Sequence, residues 1–198
     1  MKIRDILNQK PVTLSFEVFP PKTDDKYAQV EEAARRIAAL RPAFMSVTYG
    51  ARGSNSKATL QVAKHLLDTY GTTVNAHLTC VGETEETLLQ KLSTMKAAGI
   101  ENILALRGDL PSEGSATLGA FAHAGELTRF LRSHGDFCIG GACYPEVHPE
   151  SRNQREDLRY LKEKVDAGCE YLVTQMFFDN NIFYNFLYKA REAGITVP

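Results

Sequence analysis

The chain has 198 residues, 43% of them apolar, with 23 Lys plus Arg against 24 Asp plus Glu and a net charge of −1. That balance excludes a disordered polymer and the basic footprint of a nucleic-acid binder. No apolar run nears the roughly 20 residues that cross a bilayer, and Met1 to Lys10 carries charge throughout, so a cytoplasmic protein with no membrane partner is expected. Cys80, Cys138, Cys143 and Cys169 show no C-x-x-C spacing, which predicts buried reduced thiols and no metal site.

Val12, Leu14, Phe16 and Val18 alternate with Thr13, Ser15 and Glu17, a period of two that predicts a strand. Pro21 and the capping signal Thr23-Asp24 then open a helix carrying Tyr27, Val30, Ala34 and Ile37 at helical spacing, with Pro42 just past its end. The unit recurs with strands near 44–49, 73–79, 102–106, 138–142 and 171–174, and helices near 54–70, 84–98, 120–134, 152–167 and 181–193. Six βα units result. Ala98-Gly99, Ala167-Gly168 and Ala193-Gly194 each close a helix with a glycine suited to the left-handed C-cap. The first two lead into a strand, whereas only Ile195 to Pro198 follow the third, so a seventh strand is announced and a truncated chain is expected.

Alternating elements imply a parallel sheet, either doubly wound or closed as a (β/α)8 barrel. There is no G-x-G-x-x-G after the first strand and no G-x-x-x-x-G-K-[ST], and polar residues collect at the C-terminal end of each strand: Glu17, Thr48, His77, Arg107 with Asp109, Tyr144 and Gln175. In a barrel those ends converge on one mouth, so the expected fold is a TIM barrel of which residues 1–198 form a single incomplete domain. A complete barrel takes about 250 residues.

Several residues at these ends have both a chemical and a plain structural reading. Glu17 is expected to point inward among apolar neighbours, as a general acid or as half of an ion pair. His77 shares a polar face with Asn75 and Thr79 and reads first as a hydrogen-bonded core histidine. Arg107-Gly108-Asp109 is a ligand-approach turn or a strand-end ion pair, and Tyr144 to Glu150 is a proline-stiffened loop of the kind that positions ligands. Asp157 and Lys164, seven apart on one helix, could reach a phosphate or ribose but read more readily as a solvated charge pair. Phe177, Phe178, Phe183, Tyr184, Phe186 and Tyr188 are expected mostly in core and helix packing.

Taken together and in order, Ser15-Phe16-Glu17-Val18-Phe19-Pro20-Pro21, Ser46-Val47-Thr48-Tyr49-Gly50-Ala51, Ala76-His77-Leu78-Thr79-Cys80, Leu106-Arg107-Gly108-Asp109 and Tyr144-Pro145-Glu146-Val147-His148-Pro149 resemble the methylenetetrahydrofolate reductases, from about Asp5 to Val197. The resemblance implies a (β/α)8 barrel with FAD at the strand C-termini, reduced by NADH or NADPH and reoxidised by methylenetetrahydrofolate in ping-pong fashion on the way to methionine synthesis, in a protein expected to be a homo-oligomer. By resemblance Glu17 matches the general acid that opens the folate's five-membered ring. Asp109 matches a catalytic aspartate beside flavin and pterin, and Gln175 a pterin contact. Thr48, Tyr49, Ala51, His77, Arg107, Gly108, Asp109, Ala124, Tyr144, His148, Asp157 and Lys164 match FAD contacts. His123 stands where the family often has Tyr, Tyr160 and Glu163 where some members have Asn and Arg, and Val18 where Phe is common. Two other readings are a flavin- or partner-binding module without turnover and a different pterin-using barrel, such as a methyltransferase or aldolase-type enzyme. Bound FAD would dispose of the latter.

Overall fold

The computed structural model describes residues 1–21, 23–49, 56–109 and 119–198. Its six strands are β1 (Ser15–Val18), β2 (Phe44–Val47), β3 (Val74–Thr79), β4 (Asn102–Leu106), β5 (Cys138–Cys143) and β6 (Tyr171–Thr174). All neighbours are parallel and the spatial order is the chain order, β1 to β6. A doubly wound sheet would reverse its order at a switch point, so this sequential order is that of a barrel wall.

The wall is curled. Tyr171 Oη on β6 donates to Asn75 Oδ1 on β3 at 2.7 Å, although strands three apart in a flat sheet would lie about 14 Å from each other. The two side chains meet because the sheet wraps them around a common interior.

Among the described residues seven α-helices accompany the strands: α1 (Ile3–Gln9), α2 (Tyr27–Ala38), α3 (Ser56–Tyr70), α4 (Glu85–Ala97), α5 (Ala124–His134), α6 (Gln154–Asp166) and α7 (Asn180–Glu192). The period of two sorts each strand between helices and interior. On β3, Val74, Ala76 and Leu78 join the main hydrophobic cluster, together with Val62 and Leu66 of α3 and Leu88, Leu92 and Met95 of α4. Asn75, His77 and Thr79 alternate onto the other face. A second cluster joins Cys143 to Leu158, Leu161, Phe186 and Ala190 under α6 and α7.

Helix α1 lies outside the predicted elements, because seven residues are too few for a periodic signal. It forms a plug: Ile3, fully buried, clusters with Phe44, Cys138 and Tyr171 of β2, β5 and β6. Polar contacts fix it there. Asn102 Oδ1 accepts from Ile3 N at 2.8 Å, while Asn102 Nδ2 donates to the carbonyls of Met1 and Val74, each at 3.1 Å. Around the rim the Met1 ammonium meets Glu101, Lys2 meets Asp136, and Arg4 meets Glu170, which Arg132 also approaches at 3.1 Å. Asn102 is 1% exposed, so Asn102→Ala should cost about 2–3 kcal/mol by leaving buried backbone groups unsatisfied, read from the midpoint of urea unfolding.

Several predicted boundaries move. The first strand starts at Ser15, not Val12: Val12 and Leu14 are largely exposed, and only the Leu14 carbonyl reaches across, accepting from Ala43 N at 2.8 Å. Thr23 does not cap an α-helix; its carbonyl accepts from Lys26 N in a 3-10 turn, and α2 begins at Tyr27. The second strand ends at Val47, since Tyr49 turns away toward α4. Helix α5 starts at Ala124 rather than Ala120, where Glu126 accepts from the N–H groups of Ala122 and His123. The start predicted for α3, Ser54, lies outside the described residues, as does Ala51.

The expected C-cap glycines are present, with φ of +74° at Gly99, +118° at Gly168 and +78° at Gly194. After Gly194, Ile195 is buried and Pro198 O accepts from Leu172 N of β6 at 2.8 Å. The last residues thus lie alongside the sixth strand.

Candidate active site

Glu17 and Ser46 are register partners on β1 and β2, and Ser46 is in turn paired with Asn75 on β3. Asn75 Nδ2 donates to Ser46 Oγ at 3.2 Å while its Oδ1 accepts from Tyr171. A polar chain therefore crosses the interior beneath Glu17. Sequence reasoning missed its members Ser46 and Tyr171; only the placement of Asn75 two residues before His77 hinted at it. One step up β3, His77 brings Nε2 to 3.9 Å from Glu17 Oε2. That nitrogen is buried and has no hydrogen-bond partner.

Glu17 is more exposed than expected: 48% of its side chain remains open, because β1 is an edge strand. Partial burial still raises its pKa above the ordinary glutamate value, which favours the protonated form a general acid needs. Burial pushes the His77 pKa down to about 4. His77 is thus neutral in the fold at pH 7, and the unfolded chain binds the extra proton between its own pKa near 6.5 and about 4. Stability should fall as pH drops through that window, and His77→Gln should flatten the loss when unfolding free energy is measured from pH 7 to 4.

The strand ends bring the other candidates to the same side. Gly108, at φ +92°, is a close-approach point: a Cβ there would lie 3.1 Å from Thr79 Cβ. Asp109 is exposed beside it and couples electrostatically to Tyr144. The Tyr144 and His148 rings meet edge to face at 4.6 Å. Between them Val147 holds φ +72°, a conformation costly for a β-branched residue and sustained by the surrounding loop. Because His148 Nδ1 accepts from Glu150 N at 3.1 Å, its proton sits on Nε2 and faces a donor role. Arg107 directs both terminal nitrogens to Glu150, at 2.5 and 2.7 Å. Exposed His123 precedes Ala124 at the start of α5, and exposed Gln175 donates its N–H to Cys143 O just after β6.

Three expectations change. Asp157 and Lys164 do not pair: Asp157 accepts from Ser151 Oγ at 3.1 Å, whereas Lys164 Nζ donates to Ala142 O at 2.7 Å, and burial lowers its pKa. Lys164 is a cation tucked against the top of β5 rather than a solvated one. The Tyr49 phenol faces the helix layer, where its oxygen accepts from Lys91 Nζ at 2.7 Å and Lys91 also pairs with Glu83. Only its backbone is left for the mouth. Thr48, one residue earlier, keeps its N–H on Val18 O and its carbonyl on Thr59 Oγ1. Of the six late aromatics only Phe186 is fully buried; Phe177 stacks on Phe183 at 4.9 Å, and Phe178, Tyr184 and Tyr188 are exposed.

The four cysteines are free and buried, with burial raising their pKa values to about 11 or 12. Among the described residues no group of three or more His, Cys, Asp or Glu side chains could hold a metal, and no helix is long and apolar enough to cross a membrane. A concavity of about 930 Å³ forms an outer groove between α6 and α7, and none of the proposed catalytic, substrate or cofactor residues lines it.

The family model described as methylenetetrahydrofolate reductase matches residues 2–198. The chain belongs to the methylenetetrahydrofolate reductase family. It is 38% identical over 201 residues to the 5,10-methylenetetrahydrofolate reductase of Escherichia coli K12, covering 98% of this chain and 67% of that protein. With methylenetetrahydrofolate reductase (NADH) 1 of Arabidopsis thaliana it shares 38% over 211 residues, covering all of this chain and 36% of the relative. The chain thus spans between about a third and two thirds of the curated relatives it matches. Among solved structures, phosphoenolpyruvate phosphomutase from Streptomyces platensis subsp. rosaceus superposes with a TM-score of 0.65 at 15% identity, covering 92% of this chain and 67% of that one. A putative lyase/mutase from Burkholderia cenocepacia J2315 gives 0.62 at 15% identity. At such identities the likeness concerns the fold alone.

Proposed function

We propose that this chain provides most of a flavin-dependent reductase barrel, which converts 5,10-methylenetetrahydrofolate to 5-methyltetrahydrofolate with hydride from NADH or NADPH. The observation that carries this reading is the Glu17 carboxyl at the mouth, 3.9 Å from an unpartnered and buried His77 nitrogen. The family membership and the plant relatives named as NADH enzymes support the substrate and donor.

The residues fit FAD. Arg107, Lys164 and the His148 Nε2 proton form a donor set for phosphate and ribose oxygens, and the Gly108 turn, packed closely on Thr79, carries Asp109 to the mouth. When bound, FAD supplies hydride acceptance and donation. The protein's part is positional and electrostatic. Thr48, His77, Arg107, Gly108, Asp109, His123, Ala124, Tyr144, His148, Asp157 and Lys164 line or support the cofactor, Tyr49 contributes through its backbone, and Gln175 contacts the pterin. Glu17 holds the proton that opens the five-membered ring of the folate, and Asp109 keeps a negative charge where the substrate becomes cationic.

The test joins an intact mass to a visible spectrum after FAD reconstitution, followed by NADH or NADPH and then methylenetetrahydrofolate under anaerobic conditions. Bleaching by the nicotinamide and recovery by the folate are expected. A second reading, a flavin-binding module without turnover, draws on the apolar side chains exposed beside the outer strands: Val12, Leu14 and Phe19 near β1, and Met176 and Phe178 after β6. Retained FAD that no nicotinamide bleaches would select it, and absence of flavin binding would sink both.

A further inference from the structure

Arg107 is a cation among the candidate cofactor contacts that already carries a two-pronged partner. Nη1 and Nη2 each give a hydrogen to one oxygen of Glu150, while Nε leans on Gly108 O at 3.4 Å. The two partners differ in setting. Arg107 keeps 22% of its side chain exposed at the end of β4, whereas Glu150 keeps 53% exposed on the loop between β5 and α6. The carboxylate can swing into water; the guanidinium cannot leave the mouth. Among the described residues the charged and titratable neighbours of Glu150 are Arg107, His148, His123 and Tyr144, and the first three favour its ionised form.

We infer that Glu150 is a displaceable counter-ion on Arg107, which makes the mouth select ligands whose phosphates can take the guanidinium fork away from a carboxylate. This rests on the reading of the mouth as the cofactor site and adds a selection rule to it. The pair is bidentate, but more than half of the Glu150 side chain faces water, so exchanging it costs less than breaking a buried pair. A diphosphate offers the same bidentate acceptor geometry with two negative charges against one, and so wins the exchange. A neutral ring system or a single carboxylate does not. The backbone bond from Glu150 N to His148 Nδ1 keeps the loop in place while the side chain leaves, so the His148 donor is retained when the exchange occurs.

The experiment titrates FAD, riboflavin and inorganic pyrophosphate into the chain and into Glu150→Gln, following flavin fluorescence for the first two and calorimetry for the third. Removing a competing charge of this exposed kind should tighten FAD and pyrophosphate by about three- to tenfold and leave riboflavin unchanged. The gain should vanish when Arg107→Gln is combined with Glu150→Gln, because the competition runs through that one guanidinium. Unchanged or weaker pyrophosphate binding in Glu150→Gln would overturn the inference, and weaker binding would make Glu150 an orienting partner of Arg107 instead. A gain that persists in the double variant would overturn it as well. If the unaltered chain takes pyrophosphate but no FAD, the cofactor reading fails while the pyrophosphate comparison still decides the role of Glu150. Matching thermal unfolding curves for the variants would exclude loss of fold as the cause.

Discussion

Glu17→Gln should leave flavin reduction by NADH or NADPH within about twofold of the original rate and slow reoxidation by methylenetetrahydrofolate by about a hundredfold to ten-thousandfold, the range of a lost general acid. The two half-reactions share the mouth but not the proton requirement. Hydride arriving from a nicotinamide needs no acid at this site, whereas ring opening in the folate does. Glutamine keeps the shape and removes the transferable proton. Anaerobic stopped-flow absorbance of each half-reaction reads the split directly, and equal loss in both would remove Glu17 as a folate-specific acid. The pH profile adds a sign. Because burial raises the Glu17 pKa, the folate half-reaction should persist above the ordinary glutamate range and then decline as pH rises through that raised pKa.

Gly140→Ala is expected to have the largest effect on stability. A Cβ at Gly140 would lie 2.3 Å from Tyr171 Cζ and 2.5 Å from Cε2. The Tyr171 ring is 1% exposed, tethered to Asn75 and packed against the α1 plug, so it has nowhere to go. Overpacking at such a site should cost about 3 kcal/mol or more, as a lowered urea midpoint with an unchanged slope. Tyr171→Phe should not relieve it, because the ring stays; Tyr171→Leu should recover most of the added cost, a coupling expected of residues in contact.

The barrel was legible because its signals were local and repeated. Alternation in Val74 to Thr79 and the glycines at 99, 168 and 194 each report on a single element, and six such reports add up to one architecture. The mouth was legible for a related reason: a barrel carries all its strand ends to one side, so position along each strand stood in for position in space. What escaped were contacts between distant residues. Nothing in the sequence pairs Tyr171 with Asn75, 96 residues earlier, or tells that Lys91 draws the Tyr49 phenol into the helix layer. Lys164 read as solvated because its helix period is polar, yet its chain folds over Gly141, whose missing side chain leaves the room. Glu17 read as enclosed, since the exposure of β1 depends on which strands flank it.

The plug at the strand N-termini bears on the order of folding events. Ile3 packs against Tyr171, and Arg4 meets Glu170 across 166 residues of sequence. Closing a loop of that span is entropically slow and gains nothing until its far end exists. During synthesis the first nine residues can meet Phe44, Asn102 and Asp136 as each emerges, but their seat is complete only when the sixth strand brings Glu170 and Tyr171. Seating of the amino terminus is therefore completed late, and amide protection in α1 should appear later than in β3 and β4 when refolding is followed by pulsed hydrogen exchange.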